Sequence, residues 1–516
     1  MKVLRSVNPA TLEESGSVET TDPSDVPLVI KRSRAAQEKW ASVPPRERAV
    51  LLRDLRLRMT READRVAETV HKDTGKPKAE CYNTELLTSA VSAAYHESLV
   101  KKFKFRENVN QGPMGLMMKA MKRRSYVEYL PLGVVAVIAP FNFPLAIPFT
   151  QTVAAVAAGN SVILKPSSET PLTGQLISDM FRESGFPEDL VIAIHGPGTS
   201  RALAASPGVN RIVFTGSTET GRDVMRSAAA NLTPVTLELG GKDAMIVFDD
   251  ADLERAADCA VWASFVNSGQ VCVGVRRIYV QEGSFERFLA LMKDKASKIR
   301  QGNGWEDAGI SVGPMINEEA AAKMESICAR MISEGGRAII GGRRNPDLHG
   351  TFFEPTIIVD VPKDAGSVRE EVFGPIVSLF PFSDEEEAVR LADCTEFALA
   401  GSVWTRDQEK GTRIASALRS GTIVVNNAIY TYGLPATPWG GSGESGFGVT
   451  HSEEGFRQMM RMHHVHVDRG SGKDAWWMPY SEEGTKLQKD IVTSFFGDGK
   501  EKIGTVRRFL SSRKKG

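Results

Sequence analysis

The chain has 516 residues, 41% hydrophobic and 25% charged, which is a globular composition in a length too great for one ordinary core, so two or three domains are expected. Its 64 Lys plus Arg against 64 Asp plus Glu give no net charge, and with it no global attraction to nucleic acid or to an anionic membrane. Five cysteines, odd in number and in no CxxC spacing, argue against a disulfide framework and against a structural zinc site, and point to a reducing, cytoplasmic compartment.

The N-terminus, MKVLRSVNPATLEESG, lacks the apolar core of a signal peptide. Pro27 to Thr74 reads as two amphipathic helices. From Pro131 to Leu164 no residue is charged, and length alone would allow a membrane span. Prolines 131, 140, 144 and 148 interrupt the stretch, so a buried strand, a proline-rich loop and a small-residue helix fit better. Strands are then predicted at Gly133–Ile138, Ser161–Leu164, Leu190–Ile194, Arg211–Phe214 and Val235–Leu239, alternating with helices at Pro171–Glu183, Ser200–Ala205 and Thr218–Ala230. Apolar β-branched runs alternating with helices indicate a parallel, doubly wound sheet, which binds ligands beyond the carboxyl ends of its strands. A second set follows: strands at Met245–Phe248, Arg277–Val280, near Ile339 and at Thr422–Asn426, and helices at Asp252–Val266, Phe285–Ile299 and Glu318–Ser333. The expected fold is α/β, with two doubly wound Rossmann-like domains, a cleft between them and a small β oligomerisation arm.

Four stretches carry chemistry. The strand at Arg211–Phe214 runs into TGSTETGRDV, where Gly216 and Gly221 frame a turn at a helix N-terminus. Backbone N–H groups and the helix dipole there suit a phosphate, although the same spacing also serves a plain turn. Glu238 ends a strand before two glycines, as a general base or as a capping acid. Asn142, between Pro140 and Pro144, is an oxyanion donor or a turn residue. Cys272, in FVNSGQVCVGVRR, is a nucleophile or a packed small hydrophobe.

In this order and with these surroundings the four stretches resemble the aldehyde dehydrogenase superfamily, in its non-acylating, hydrolytic type, over about residues 7–467. Matching segments are VNPATLEESG, DTGKP, LKPSSETP, EEVFGP, GTIVVN and PWGGSGESGFG. The resemblance implies oxidation of an aldehyde to its carboxylic acid with NADP or NAD. Cys272 would attack the aldehyde to give a thiohemiacetal, and later a thioester. Its oxyanion would be received by the Asn142 amide and the Cys272 N–H, each such donor being worth ~10²–10³ in rate. Glu238 would activate the water that hydrolyses the thioester. By the same resemblance Lys165 contacts the adenine ribose, and Ser217, with Gly216 and Gly221, the pyrophosphate. Glu371 holds the nicotinamide ribose, Phe373 packs beside the ring, and Leu239 belongs to the same set.

The resemblance also sets domain limits. Residues 1–103 and 130–240 form the cofactor-binding domain and 241–430 the catalytic domain. Residues 104–129 and 431–467 form the oligomerisation arm and bridging segments, and 468–516 a C-terminal extension. A homodimer or homotetramer is expected. No metal site is expected: in the run His463-His464-Val465-His466, His464 is taken to point away from the other two histidines. Ser168 stands where NAD-preferring members carry a glutamate, with Glu169 one place later, so NADP is expected to serve at least comparably to NAD. After Gly448 the usual Arg-Glu is replaced by Val449-Thr450, and His451 follows, read as a surface or interface histidine. Phe141, Val271 and Val273 suggest an apolar approach for aliphatic or aromatic aldehydes. In the tail, Leu487, Ile491, Val492 and Phe495 form an apolar stripe before a basic end, expected to pack on the body or a neighbouring subunit, with peripheral membrane contact as the alternative. Two other functions compete: a thiol esterase without redox turnover, and a non-catalytic binding protein of the same fold.

Overall fold

Strands that are apolar along their whole length must be covered on both faces, and the chain does this twice. A computed structural model describes residues 2–471, 473–474, 476–496 and 504. Its six-stranded sheet runs in the order Gly446–Phe447, Val235–Glu238, Arg211–Thr215, Val134–Ile138, Ser161–Lys165 and Val191–Ala193. All neighbours are parallel except the first pair. The three central strands are buried almost throughout, as both-face cover requires. Chain order reverses between Val134–Ile138 and Arg211–Thr215, which opens a crevice beyond their carboxyl ends.

The seven-stranded sheet has the order Arg337–Ile340, Thr356–Val359, Ile376–Phe382, Arg277–Gln281, Ala244–Val247, Ala400–Trp404 and Thr422–Val425. It is parallel but for the first pair, and separate apolar clusters fill its two faces. Both expected sheets are present, and the uncharged stretch forms a strand, a loop and the helix Ala146–Ala157, as its prolines require. Among the described residues no helix is long and apolar enough to cross a membrane.

Three expectations change. Pro27 to Thr74 holds three helices, Val26–Ala41, Pro45–Arg61 and Ala63–Thr74. The second break falls at Glu62, whose backbone leaves helical geometry without a Pro or Gly to mark it. The strands Thr356–Val359, Ile376–Phe382 and Ala400–Trp404 are additions inside the second sheet. The third change is in the histidine run. Strand Met460–Asp468 alternates with period two, so His464 and His466 share a face, with ring centroids 6.4 Å apart.

The described residues fold as two compact units, those of 2–102 with 131–459, and those of 103–130 with the ones from 460 onward. The first contains both large sheets. The second is built on a three-stranded sheet, Met460–Asp468 beside Arg123–Pro131 beside Arg106–Asn108. Within it the tail helix Glu482–Phe496 sets Leu487 and Ile491 against Met117 and Met121. Val492 points to solvent instead, because it lies off that stripe. The side chain of Phe495 and the basic end, 505–516, lie outside the described residues.

Candidate active site

Cys272 sits in the loop between helix Leu253–Phe265 and strand Arg277–Gln281. The loop reaches it through three successive residues in left-handed backbone, Asn267 (φ 53), Ser268 (φ 54) and Gly269 (φ 69). Only glycine suits the last of these. A Cβ there would lie 2.2 Å from the Gly374 carbonyl oxygen. The strain is held by the buried Arg276, which donates to the Ser264 and Gly269 carbonyls, and by Ser268 Oγ, which donates to Gly313 O at 2.7 Å. The thiol is half-buried. Burial, with Asp243, Glu238 and Glu371 behind it, pushes its pKa up to about 12, partly opposed by the Val273 N–H.

Asn142 follows strand Val134–Ile138. Its carbonyl accepts from Lys76 Nζ at 2.9 Å and from Asn267 Nδ2 at 2.7 Å, and its own Nδ2 donates to Gln270 O at 2.9 Å. That amide carries two protons, so one remains for a substrate oxygen. Lys76 is itself paired with Glu85 at 2.5 Å, both wholly buried, and Glu85 accepts the N–H groups of Leu145 and Ala146. The carboxamide is therefore fixed from behind by a buried ion pair.

Glu238 ends strand Val235–Glu238 and is buried. Burial raises its pKa to about 8, against the Trp439 indole N–H. Thr450 Oγ1 lies 3.3 Å from Glu238 Oε1. His451 is not a surface residue. It is 2% exposed, with Nδ1 3.1 Å from Thr450 Oγ1 and Nε2 3.0 Å from the Tyr432 carbonyl.

Two cavities meet at the thiol. The first, about 400 Å³, is walled by apolar side chains such as Phe143, Trp262, Val271, Val273 and Trp439, with Glu238 and Cys272 at its end. Among the described residues no lysine, arginine or histidine lines it. The second, about 190 Å³, lies in the crevice of the six-stranded sheet and is lined by Asn142, Gly216, Ser217, Leu239, Glu371 and Phe373, together with Cys272 and Lys323. Phe141 belongs to this second cavity, edge-on to Phe373 at 5.9 Å; Phe143 takes the place expected of it on the apolar side. A Cβ on Gly240 would lie 2.4 Å from the Glu371 carboxylate, so glycine is needed for that carboxylate to reach the cavity.

The remaining expected residues stand further out. Gly221 lies in the first turn of helix Thr218–Ala229 against Leu239, and Ser217 caps that helix by accepting from Thr220 N at 3.3 Å. Lys165 ends strand Ser161–Lys165, donates to the Pro166 carbonyl at 2.6 Å, and is lowered by burial to about 8. Ser168 is exposed in the following turn. Glu169 turns away to Asn317, and burial raises its pKa. Sequence reasoning missed Trp439, Thr450 and Tyr432 as neighbours of Glu238, and Lys76 as the support of Asn142. The one local signal was the departure after Gly448.

Thiol, carboxyl and carboxamide, converging between two open α/β sheets where an apolar cavity meets a helix-capped crevice, mark an enzyme fold of the cysteine-centred dehydrogenase kind. The chain belongs to the aldehyde dehydrogenase family, whose sequence model matches residues 1–465. It is 33% identical over 500 residues to a 4,4'-diapolycopene aldehyde oxidase of Methylomonas sp, covering 96% of this chain and 92% of that one. It is 34% identical over 460 residues to the NADP(+) succinate-semialdehyde dehydrogenase of Escherichia coli strain K12, covering 89% and 93%. A crystal structure of a Mycobacterium tuberculosis aldehyde dehydrogenase complexed with NAD+ superposes with a TM-score of 0.86 at 32% identity, covering 91% and 96%.

Proposed function

We propose that the protein oxidises uncharged, apolar aldehydes to carboxylic acids with NADP or NAD, using Cys272 as nucleophile, Asn142 as oxyanion donor and Glu238 as base. The observation that carries this is the meeting of the two cavities at the Cys272 thiol. Cys272 Sγ attacks the carbonyl carbon, and the oxygen takes its developing charge to the free Asn142 amide proton and the Cys272 N–H. A bound nicotinamide supplies the hydride acceptor. The residues that would hold the cofactor are Lys165, Ser168, Gly216, Ser217, Gly221, Leu239, Glu371 and Phe373. The crevice fits it: a capped helix N-terminus for phosphate, a buried carboxylate for ribose hydroxyls and an aromatic wall for the ring. Glu238 then takes a proton from the water that cleaves the thioester.

The substrate class follows from the lining. A carboxylate or sulfonate on the aldehyde would be desolvated in the 400 Å³ cavity with no cation to pair it, at a cost of several kcal/mol. An alkyl or aromatic group instead gains about 0.8 kcal/mol per buried CH₂. Formation of reduced nicotinamide, followed by absorbance with a panel of aldehydes, tests this. The expected result is a kcat/KM that rises with alkyl length and is low for succinic semialdehyde; the reverse order would overturn it.

The protein acts as a homodimer or homotetramer in a reducing, cytoplasmic compartment. Strand Met460–Asp468, an edge strand with exposed side chains, supports association, because such an edge is left for another chain to cover. Light scattering at micromolar protein should give at least twice the 56.3 kDa chain mass.

A further inference from the structure

We infer that Thr450 and His451 are positioning residues that present a hydrogen-bond acceptor to Glu238 and thereby hold its carboxyl neutral in the resting enzyme. The inference rests on the reading of Glu238 as the base. The contacts fix the direction of each proton. His451 Nε2 faces the Tyr432 carbonyl at 3.0 Å, and a carbonyl only accepts, so Nε2 carries the ring proton. The ring is buried, its pKa pushed down to about 3 by burial and by His96 nearby, so it is neutral and Nδ1 has a bare lone pair. Nδ1 must therefore accept from the Thr450 hydroxyl, 3.1 Å away. A threonine has a single hydroxyl proton. Once that proton is given to His451, Thr450 Oγ1 turns lone pairs towards Glu238 Oε1 at 3.3 Å, and only a protonated carboxyl can donate to them.

Ionised Glu238 would face those lone pairs, or would draw the hydroxyl proton to itself and strand buried Nδ1. The opposing influence is the Trp439 indole N–H, which favours the carboxylate. Relay of the Glu238 proton to His451 does not compete, because burial lowers the ring's pKa and raises that of the carboxyl. The other titratable groups around the pair are the Cys272 thiol, raised to about 12, the Tyr432 phenol, raised well above its usual value by burial, and His96, lowered to about 4 by burial. None of these three changes charge near neutral pH; Asp243 and Glu371, behind Cys272, are carboxyls that burial also raises, so the transition is assigned to Glu238 by its loss in Glu238→Gln.

His451→Phe keeps a ring and removes the acceptor, freeing the Thr450 hydroxyl to donate to the carboxylate. The acid limb of the kcat–pH profile should then fall by about one to two pH units, the size of one hydrogen bond to a charged group. In a Thr450→Val background the same change should give no further shift, and Thr450→Ser alone should keep the native profile. An equal shift in both backgrounds, or none in either, would overturn the inference. Should the variants not fold, the native protein decides: at pH 7 its infrared difference spectrum against Glu238→Gln should contain a carboxylic-acid C=O stretch, and a carboxylate band in its place would overturn it. That readout needs no turnover. A protein with the acid band but inactive on every aldehyde would fail the proposed function and leave the inference intact.

Discussion

Burial pushes the Cys272 thiol up to about 12, so it rests as a thiol at neutral pH. In the proposed mechanism attack therefore needs a base, and Glu238 can serve only in its ionised fraction. Since burial raises Glu238 to about 8, that fraction grows about tenfold per pH unit below 8 and levels off above it. Turnover should rise with pH through this range and flatten beyond. Glu238→Gln should remove that limb, cut steady-state turnover strongly and leave a burst of reduced cofactor wherever Cys272 still ionises; stopped-flow traces across pH measure both. Cys272→Ala should retain cofactor binding by fluorescence titration and lose all but a few per cent of turnover. A variant that kept its turnover would place the chemistry elsewhere.

The catalytic geometry belongs to elements that the reactive side chains do not themselves form. Asn142 is held by Lys76, which comes from the turn after helix Ala63–Thr74, and Lys76 is held by Glu85 in a segment of π-helix, Cys81–Leu86. Such wide turns recur at functional sites because the extra residue redirects a side chain. Lys76→Met would leave the Glu85 carboxylate buried without its cation. Breaking one side of a buried pair costs about 3–5 kcal/mol, so urea unfolding should show a loss of that order, with activity lowered further as Asn142 loosens. Unchanged stability would mean that water reaches Glu85.

At the scale of the whole molecule, two sheets bring together the two cavities that the proposed function assigns to cofactor and substrate. On the proposed reading, cofactor choice is decided in the turn after strand Ser161–Lys165. Ser168 offers a hydroxyl, and the carboxyl of Glu169 is engaged with Asn317. Absence of a like charge within a few ångströms of a 2′-phosphate is worth roughly 1–4 kcal/mol at intermediate dielectric. NADP should accordingly be used at least comparably to NAD, and Ser168→Glu should move preference to NAD. Measuring kcat/KM for both cofactors on both proteins checks this, and strong NAD selectivity in the native enzyme would count against it.

Much of this was legible along the chain. Helices Pro171–Glu183 and Glu318–Ser333 have the limits their periodicity predicts, and Cys272, Glu238 and Asn142 stand in local motifs that carry their own turn chemistry. Those features depend on neighbours in sequence, so sequence alone determines them. The inner strands Thr356–Val359, Ile376–Phe382 and Ala400–Trp404 were not legible, because an apolar run becomes a strand only when a parallel partner is present to take its hydrogen bonds. The same holds for Thr450, which meets Glu238 across 212 residues because Gly446 pairs with Glu238 at the sheet edge. His451 could look like a surface residue only while its partners, Tyr432 and Thr450, were unplaced. Residue types and turns are written locally, whereas burial, ion pairing and proton direction arise from contacts made only when distant segments close on one another.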